Sequence, residues 1–221
     1  MGSLFSLPEE VTSSKLFQSA LTHRSASQDN NERLEFLGDA VLGFVIANKL
    51  FEKFPDYDEG DLSRMRAHLV CKKALARLAK DAGLGSSIKL GSGEKKSGGH
   101  YRSSILADSL EAVIGAVYLL KGFEYAAKFI SKLYVEQFQQ LPQAEELKDP
   151  KTRLQEHLQS QQIDVPAYSV LKEWGEGNDK HFKVECFIKV LGKKTFGEEK
   201  SKKKAEQIAA REMIKLLQDQ R

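Results

Sequence analysis

From Lys15 to Leu141 apolar residues recur every three or four positions, the spacing of amphipathic helices. The pattern runs through KLFQSALTH, LFEKF, LSRMRAHLVCKKALARLAKDAGL, SILADSLEAVIGAVYLLKG and AAKFISKLYVEQF. It predicts an all-α segment with little strand. Asp61 before LSRMRA and Gly83 after AKDA read as helix start and stop signals. Between helices lies LGSGEKKSGGHYRSS, Leu90 to Ser104. It is glycine-rich but lacks the GxxxxGK[ST] and GxGxxG spacings of a nucleotide cradle. It reads as a mobile surface loop, with Lys95, Lys96 and Arg102 within reach of phosphate. The polar stretch QLPQAEELKD, Gln140 to Asp149, has no period and reads as a linker.

After Pro150 the pattern changes. KTRLQEHLQSQ predicts a short helix and AYSVLKEW a strand. HFKVECFIKV alternates, with Phe182, Val184, Cys186, Ile188 and Val190 on one face. KKTFGEEK predicts a third strand. SKKKAEQIAAREMIKLL predicts an amphipathic helix burying Ala205, Ile208, Ala209, Met213, Leu216 and Leu217. Helix, three antiparallel strands and helix make a small α+β domain. Few aromatics are expected on its sheet, so single-strand stacking is not indicated.

Composition adds limits. Of the 221 residues, 41% are hydrophobic and 29% charged, a globular balance. No uninterrupted apolar run approaches the roughly 20 residues of a membrane span, and no secretory signal is visible. The chain is expected to work in the cytoplasm, away from membranes. Cys71 and Cys186 are far apart and read as buried, reduced thiols. The opening MGSLFS meets a loose myristoylation pattern, but reads better as a Gly-Ser remnant of cloning. Basic and acidic residues balance up to Lys148, so the formal charge of +3 resides in residues 149–221. That weak excess suits a polyanionic partner.

The candidate chemistry begins in NERLEFLGDAVLGFVIANKL, Asn31 to Leu50. At about 100° per residue, Glu32, Glu35 and Asp39 fall within an arc of about 60° on one helix face. Phe36, Leu37, Val41, Leu42, Phe44, Val45 and Ile46 make the rest of that helix apolar, as in a central element. SILADSLEAVIGAVYLL repeats the theme: Asp108 and Glu111 are three apart, and Gly115 leaves room for a close approach. Carboxylates gathered from two packed helices repel, and a divalent cation relieves the repulsion. An all-oxygen donor set suits Mg²⁺, with Mn²⁺ as a substitute. The alternative is helix-start acids that complement the dipole and pair with Arg24 or Arg33. No Glu-x-x-His pair, HExxH or GxSxG is present. His23 and His68 read as structural. Carboxylates with Mg²⁺ and no other cofactor signal point to phosphoryl chemistry.

In the C-terminal module Lys200, Lys202, Lys203 and Lys204 surround the start of the last helix, with Ser201 as its natural cap. Lysines there oppose the helix dipole, so their use is more readily explained by phosphate contacts. Thr152, Gln155 and Glu156 on the first helix can reach 2′-hydroxyls or base edges in a shallow minor groove. The loop from Asn178 to His181 can reach a second one.

NERLEFLGDAVL resembles the signature of the ribonuclease III family, and SILADSLEAVIGAVYLL resembles its second acidic motif. The tail with KSKKKAEQIAA resembles a double-stranded-RNA-binding domain. The resemblance covers nearly the whole chain, except that the lead-in before ALTHRSAS is short and less typical. It implies an all-α endonuclease domain over residues 1–142, a linker over 143–148, and an α-β-β-β-α RNA-binding domain over 149–221. It further implies a homodimer that cleaves double-stranded RNA with Mg²⁺, leaving 5′-phosphates and 3′-hydroxyls with short 3′ overhangs. Its substrates would be ribosomal, messenger and transfer RNA precursors. By motif position Glu35, Asp39, Asp108 and Glu111 would hold metal, Asp39 and Glu111 would act in catalysis, and Glu32 and Glu59 would support them. Phe36 would be an aromatic knob at the dimer interface. Thr152, Gln155, Glu156, His181, Lys200, Ser201, Lys202 and Lys203 would contact RNA.

Overall fold

The structure is a computed structural model that describes residues 7–218; the MGSLFS stretch lies outside the described residues. The chain divides into two units between Ala144 and Glu145.

In the first unit α1 (Glu9–Thr12) and α2 (Lys15–Ala20) lead into α3 (Glu32–Lys53). Then come α4 (Glu59–Val70), α5 (Lys72–Asp81), a short α6 (Ser92–Lys96), α7 (Ser103–Lys121), α8 (Phe123–Leu133) and α9 (Val135–Gln139). Among the described residues its only β pairing is an isolated bridge, Thr22 to Lys89. LFEKF is the last turn of α3 rather than a separate helix.

The start signal differs from expectation. Asp58, not Asp61, caps α4, its carboxylate accepting the Asp61 N–H at 2.7 Å. The long pattern after it breaks at Cys71, whose extended backbone (ψ 151°) ends α4 and caps α5. Gly83 does end α5, with φ at +71°. Residues 90–104 are folded rather than a bare loop. α6 and a 3₁₀ turn at Gly99–Tyr101 fill them, and Gly99 is buried. Gly91 and Gly99 sit where a methyl group would strike Ser25 or Glu94, so those glycines serve close packing.

α7 is the core helix. Twelve of its residues, from Ile105 to Val117, are buried, and it packs against α2, α3, α5 and α8. By length and composition alone it could cross a membrane, but two thirds of that window is buried inside the protein. α3 crosses it. A methyl at Gly38 would overlap the Glu111 carbonyl, and one at Gly115 would overlap the Leu34 carbonyl. The two glycines bring the helix backbones into contact, so Gly115 admits a helix and not a metal-bound ligand. α3 buries Leu34, Val41, Leu42, Val45, Ile46 and Leu50, but leaves Phe36, Phe44 and Phe51 exposed.

α10 (Ala144–Leu147) puts one helical turn into the expected linker. In the second unit α11 (Pro150–Ser160), β1 (Ala167–Trp174), β2 (His181–Ile188), β3 (Lys193–Glu199) and α12 (Lys202–Gln218) follow in order. The antiparallel sheet has the order β1-β2-β3, with one irregularity between Val170 and Lys172. Leu154 and Leu158 of α11, Cys186 and Ile188 of β2, and Ala209, Ala210 and Met213 of α12 form its core. Val190 falls past the end of β2 and is exposed, because the chain turns there to enter β3. Cys186 is buried as expected, but Cys71, in the break between α4 and α5, is exposed.

Candidate metal centre and nucleic-acid interface

The helix crossing decides the site. α3 offers Glu32, Glu35 and Asp39, and α7 offers Asp108 and Glu111. Because the backbones touch at Gly38 and Gly115, carboxylate oxygens of Glu35, Asp108 and Glu111 lie within 4.8 Å of one another. Asp39, one turn further along α3, is exposed and flanks Glu111, on which its charge acts. Glu32 pairs with Arg24 at 3.3 Å, the ion pair of the alternative reading, yet it lines the clefts on both sides of the trio and its charge acts on Glu35. Glu59, at the first turn of α4, accepts the Ser63 hydroxyl at 2.7 Å and lines a separate hollow beside Phe44 and Phe51. The structure therefore gathers three of the six acids, sets Asp39 and Glu32 at their edges, and leaves Glu59 apart.

The electrostatics follow from burial. Glu111 is 9% exposed, and its carboxyl is pushed up to about 7 by burial and by the negative charges of Asp39, Glu35 and Asp108. Glu35 is raised by burial and by Asp108, against a lowering from Lys72. Three clustered carboxylates with incomplete compensation, one nearly buried, fit a hard divalent cation. A cleft of about 600 Å³ opens on one side of the trio, past Asp39, Phe36 and Lys72. On the other side, one of about 520 Å³ leads to His23, Arg24, Asn31 and Arg102.

Two residues at the centre escaped the sequence reading. Lys72 Nζ donates to Asp108 Oδ1 at 3.1 Å. Its only sequence signal was a lysine in the first turn of a helix without an acid there. Tyr134 is fully buried near Glu111, and its hydroxyl donates to the Leu69 carbonyl at 3.3 Å. Burial and the Glu111 charge push the phenol further up, which keeps it neutral. Nothing in the sequence marked it. His23 holds its own turn, its Nδ1 bonding the Ser25 hydroxyl at 2.8 Å. His68 is exposed in the last turn of α4, not a structural core residue. Phe36 is 80% exposed at the cleft.

In the second unit Thr152, Gln155 and Glu156 are exposed on α11, with Glu156 paired to Lys148 at 2.8 Å. Lys202 and Lys203 are exposed at the start of α12, and Ser201 precedes them. Lys200 pairs with Asp179 at 2.6 Å, and the His181 ring lies 3.7 Å from the same carboxylate. That contact joins the loop before β2 to the lysine-rich helix start. The sheet is more aromatic than expected. On the face opposite Val184 and Cys186, His181 stacks on Trp174, Lys194 lies over Phe187, and Lys183 lies over Phe196. Strand alternation hid this face, because its rings belong to three different strands.

Fold and site together give two modules, one centred on clustered acids and one presenting a lysine-rich helix start. Residues 13–138 match the ribonuclease-III-like family, and residues 150–217 match the double-stranded RNA binding motif. A ribonuclease 3 of Alkalilimnicola ehrlichii is 49% identical over 205 residues, covering 93% of this chain and 90% of that one. Two structures of the ribonuclease III nuclease domain of Campylobacter jejuni are each 44% identical to it. They cover 64% and 59% of this chain and 100% and 94% of theirs, with TM-scores of 0.57 and 0.56. One concerns flexibility in the region of that protein's dimer formation. The chain belongs to the ribonuclease III family and is a double-strand-specific endoribonuclease.

Proposed function

We propose that the chain acts as a Mg²⁺-dependent homodimer on duplex RNA in the cytoplasm, with one acidic centre per subunit. The supporting observation is the trio of Glu35, Asp108 and Glu111, drawn within 4.8 Å at a glycine-mediated helix crossing. These residues, with Asp39 at their edge, would hold the metal. A bound divalent cation supplies a readied water and offsets charge on the leaving oxygen. Glu111, nearly buried and raised to about 7, suits a ligand that gives up its proton when metal enters. Asp39 faces the open cleft, where it can take a proton from the attacking water. Glu32 and Glu59 would be supporting acids. The products would carry 5′-phosphates and 3′-hydroxyls with short 3′ overhangs, as in maturation of ribosomal, messenger and transfer RNA.

Residues 1–142 would form the endonuclease domain, 143–148 the linker and 149–221 the RNA-binding domain. α11 and the start of α12 would hold the duplex, through Thr152, Gln155 and Glu156, and through Lys200, Ser201, Lys202 and Lys203. His181 would add a contact from its loop. Phe36 would dock on the partner subunit, supported by its exposure and by the dimer of the Campylobacter jejuni relative.

Duplex RNA incubated with the protein in Mg²⁺, then in EDTA, tests this on one gel. Cleavage is expected only with Mg²⁺. Glu111→Gln should lower the rate by about 1000-fold or more, since metal charge stabilisation is worth several kcal/mol. Its affinity for duplex RNA should stay within about twofold of wild type. Binding without Mg²⁺-dependent products would make the chain a pure RNA binder. Wild-type cleavage by Glu111→Gln would refute the site.

A further inference from the structure

We propose that Lys72 is a built-in counter-cation of the acidic centre: it neutralises the carboxylates when metal is absent and competes with metal for them. The proposal rests on the metal reading of that centre. Lys72 Nζ lies 3.1 Å from Asp108 Oδ1, and its charge also acts on Glu35 and Glu111. Lys72 is thus the cation that faces all three members of the trio. It lines the clefts on both sides of them, so its ammonium stands at the mouth through which an ion enters.

The placement has a local cost. Lys72 is the first residue of α5, Cys71 provides no side-chain cap, and no acid lies in the first turn. A cation there opposes the helix dipole. The helix break at Cys71 aims that residue across to α7, where Asp108 offsets the cost. A long, 69% exposed lysine stem lets the ammonium leave without unfolding anything. The same exposure bounds the effect. A unit charge about 5 Å from a divalent ion, in nearly aqueous surroundings at about 0.15 M salt, where screening roughly halves the repulsion, changes its affinity by only about fivefold. That corresponds to about 1 kcal/mol.

The test uses the full chain without RNA. Mn²⁺ binding is followed by the free-ion EPR signal for wild type, Lys72→Met and Lys72→Arg at constant ionic strength. Thermal unfolding is recorded in EDTA and in Mg²⁺. Lys72→Met should bind Mn²⁺ about fivefold more tightly, and its rise in Tm from EDTA to Mg²⁺ should exceed that of wild type. Lys72→Arg, which keeps the charge, should behave as wild type. Saturable binding that is equal in all three chains would overturn the proposal alone. So would weaker binding by Lys72→Met, which would make Lys72 an organiser of the site. Equal tightening in Lys72→Met and Lys72→Arg would exclude charge as the cause. No Mn²⁺ binding by wild type would overturn the metal reading and this proposal with it.

Discussion

Glu111 carries a conflict between stability and function. Its usual value is 4.5, and in the folded chain it rises to about 7. The folded protein therefore holds this proton more tightly than the unfolded chain does. Stability contributed by the protonated carboxyl is present at pH 4 and is lost as pH climbs from about 4.5 to about 7. Without metal, Glu111→Gln should match wild type at pH 4 and be more stable at pH 8, by up to about 3 kcal/mol. Denaturant titrations at the two pH values in EDTA check the sign. A wild type that is the more stable of the two at pH 8 would contradict the buried-carboxylate account. That Glu35 and Asp108 join Glu111 was legible from their i, i+3 spacing on two apolar helices. That Glu32 would pair with Arg24 was one of two readings, and only the fold showed the pair. Tyr134 was illegible because a tyrosine in an apolar stripe carries no sign of which group it will lie beside.

At the scale of elements, the crossing of α3 and α7 is the part most sensitive to small change. Gly38 and Gly115 stand where the other helix's backbone leaves no room for a methyl group. Gly38→Ala must force the helices apart, which costs about 1–3 kcal/mol or more in an overpacked core. It should also weaken Mg²⁺ stabilisation, because Glu35 and Glu111 separate. Tm measurements in EDTA and in Mg²⁺ read both effects; an unchanged Tm in EDTA would show that the crossing tolerates a methyl. Helix periodicity located α3 and α7 well, and Gly83 marked the end of α5. It missed the break at Cys71, since apolar spacing continues in phase across the gap, and it missed that Asp58 rather than Asp61 holds the α4 start. In the second unit alternation placed all three strands, but carried Val190 past a turn that periodicity does not mark.

For the whole molecule the central question is what covers Phe36, Phe44 and Phe51, which are 80%, 61% and 71% exposed along one helix. An exposed aromatic stripe of this kind marks an interaction face. On the proposed homodimer, Phe36→Asp should yield a monomer by analytical ultracentrifugation at micromolar concentration, with helix content intact by circular dichroism. A dimer that persisted in Phe36→Asp would place the interface elsewhere. The RNA-binding module should act by neutralising phosphates. Lys202→Ala with Lys203→Ala should flatten the slope of log affinity against log salt by roughly one unit for each phosphate no longer neutralised. An unchanged slope would remove those lysines from the interface.

The sequence by itself determined the two modules, their order, the main helices and strands of each, and the acidic faces of α3 and α7. These follow from short-range periodicity, which hydrophobic burial enforces along each element separately. Tertiary structure decided what depends on two elements meeting. The contact of Gly38 with Gly115 set which carboxylates share a point in space, and the turn at Cys71 brought Lys72 to Asp108. Residues 90–104 became a packed segment in part because Gly91 fits against Ser25. Such contacts join positions distant in the chain, and no local pattern records the distance between them.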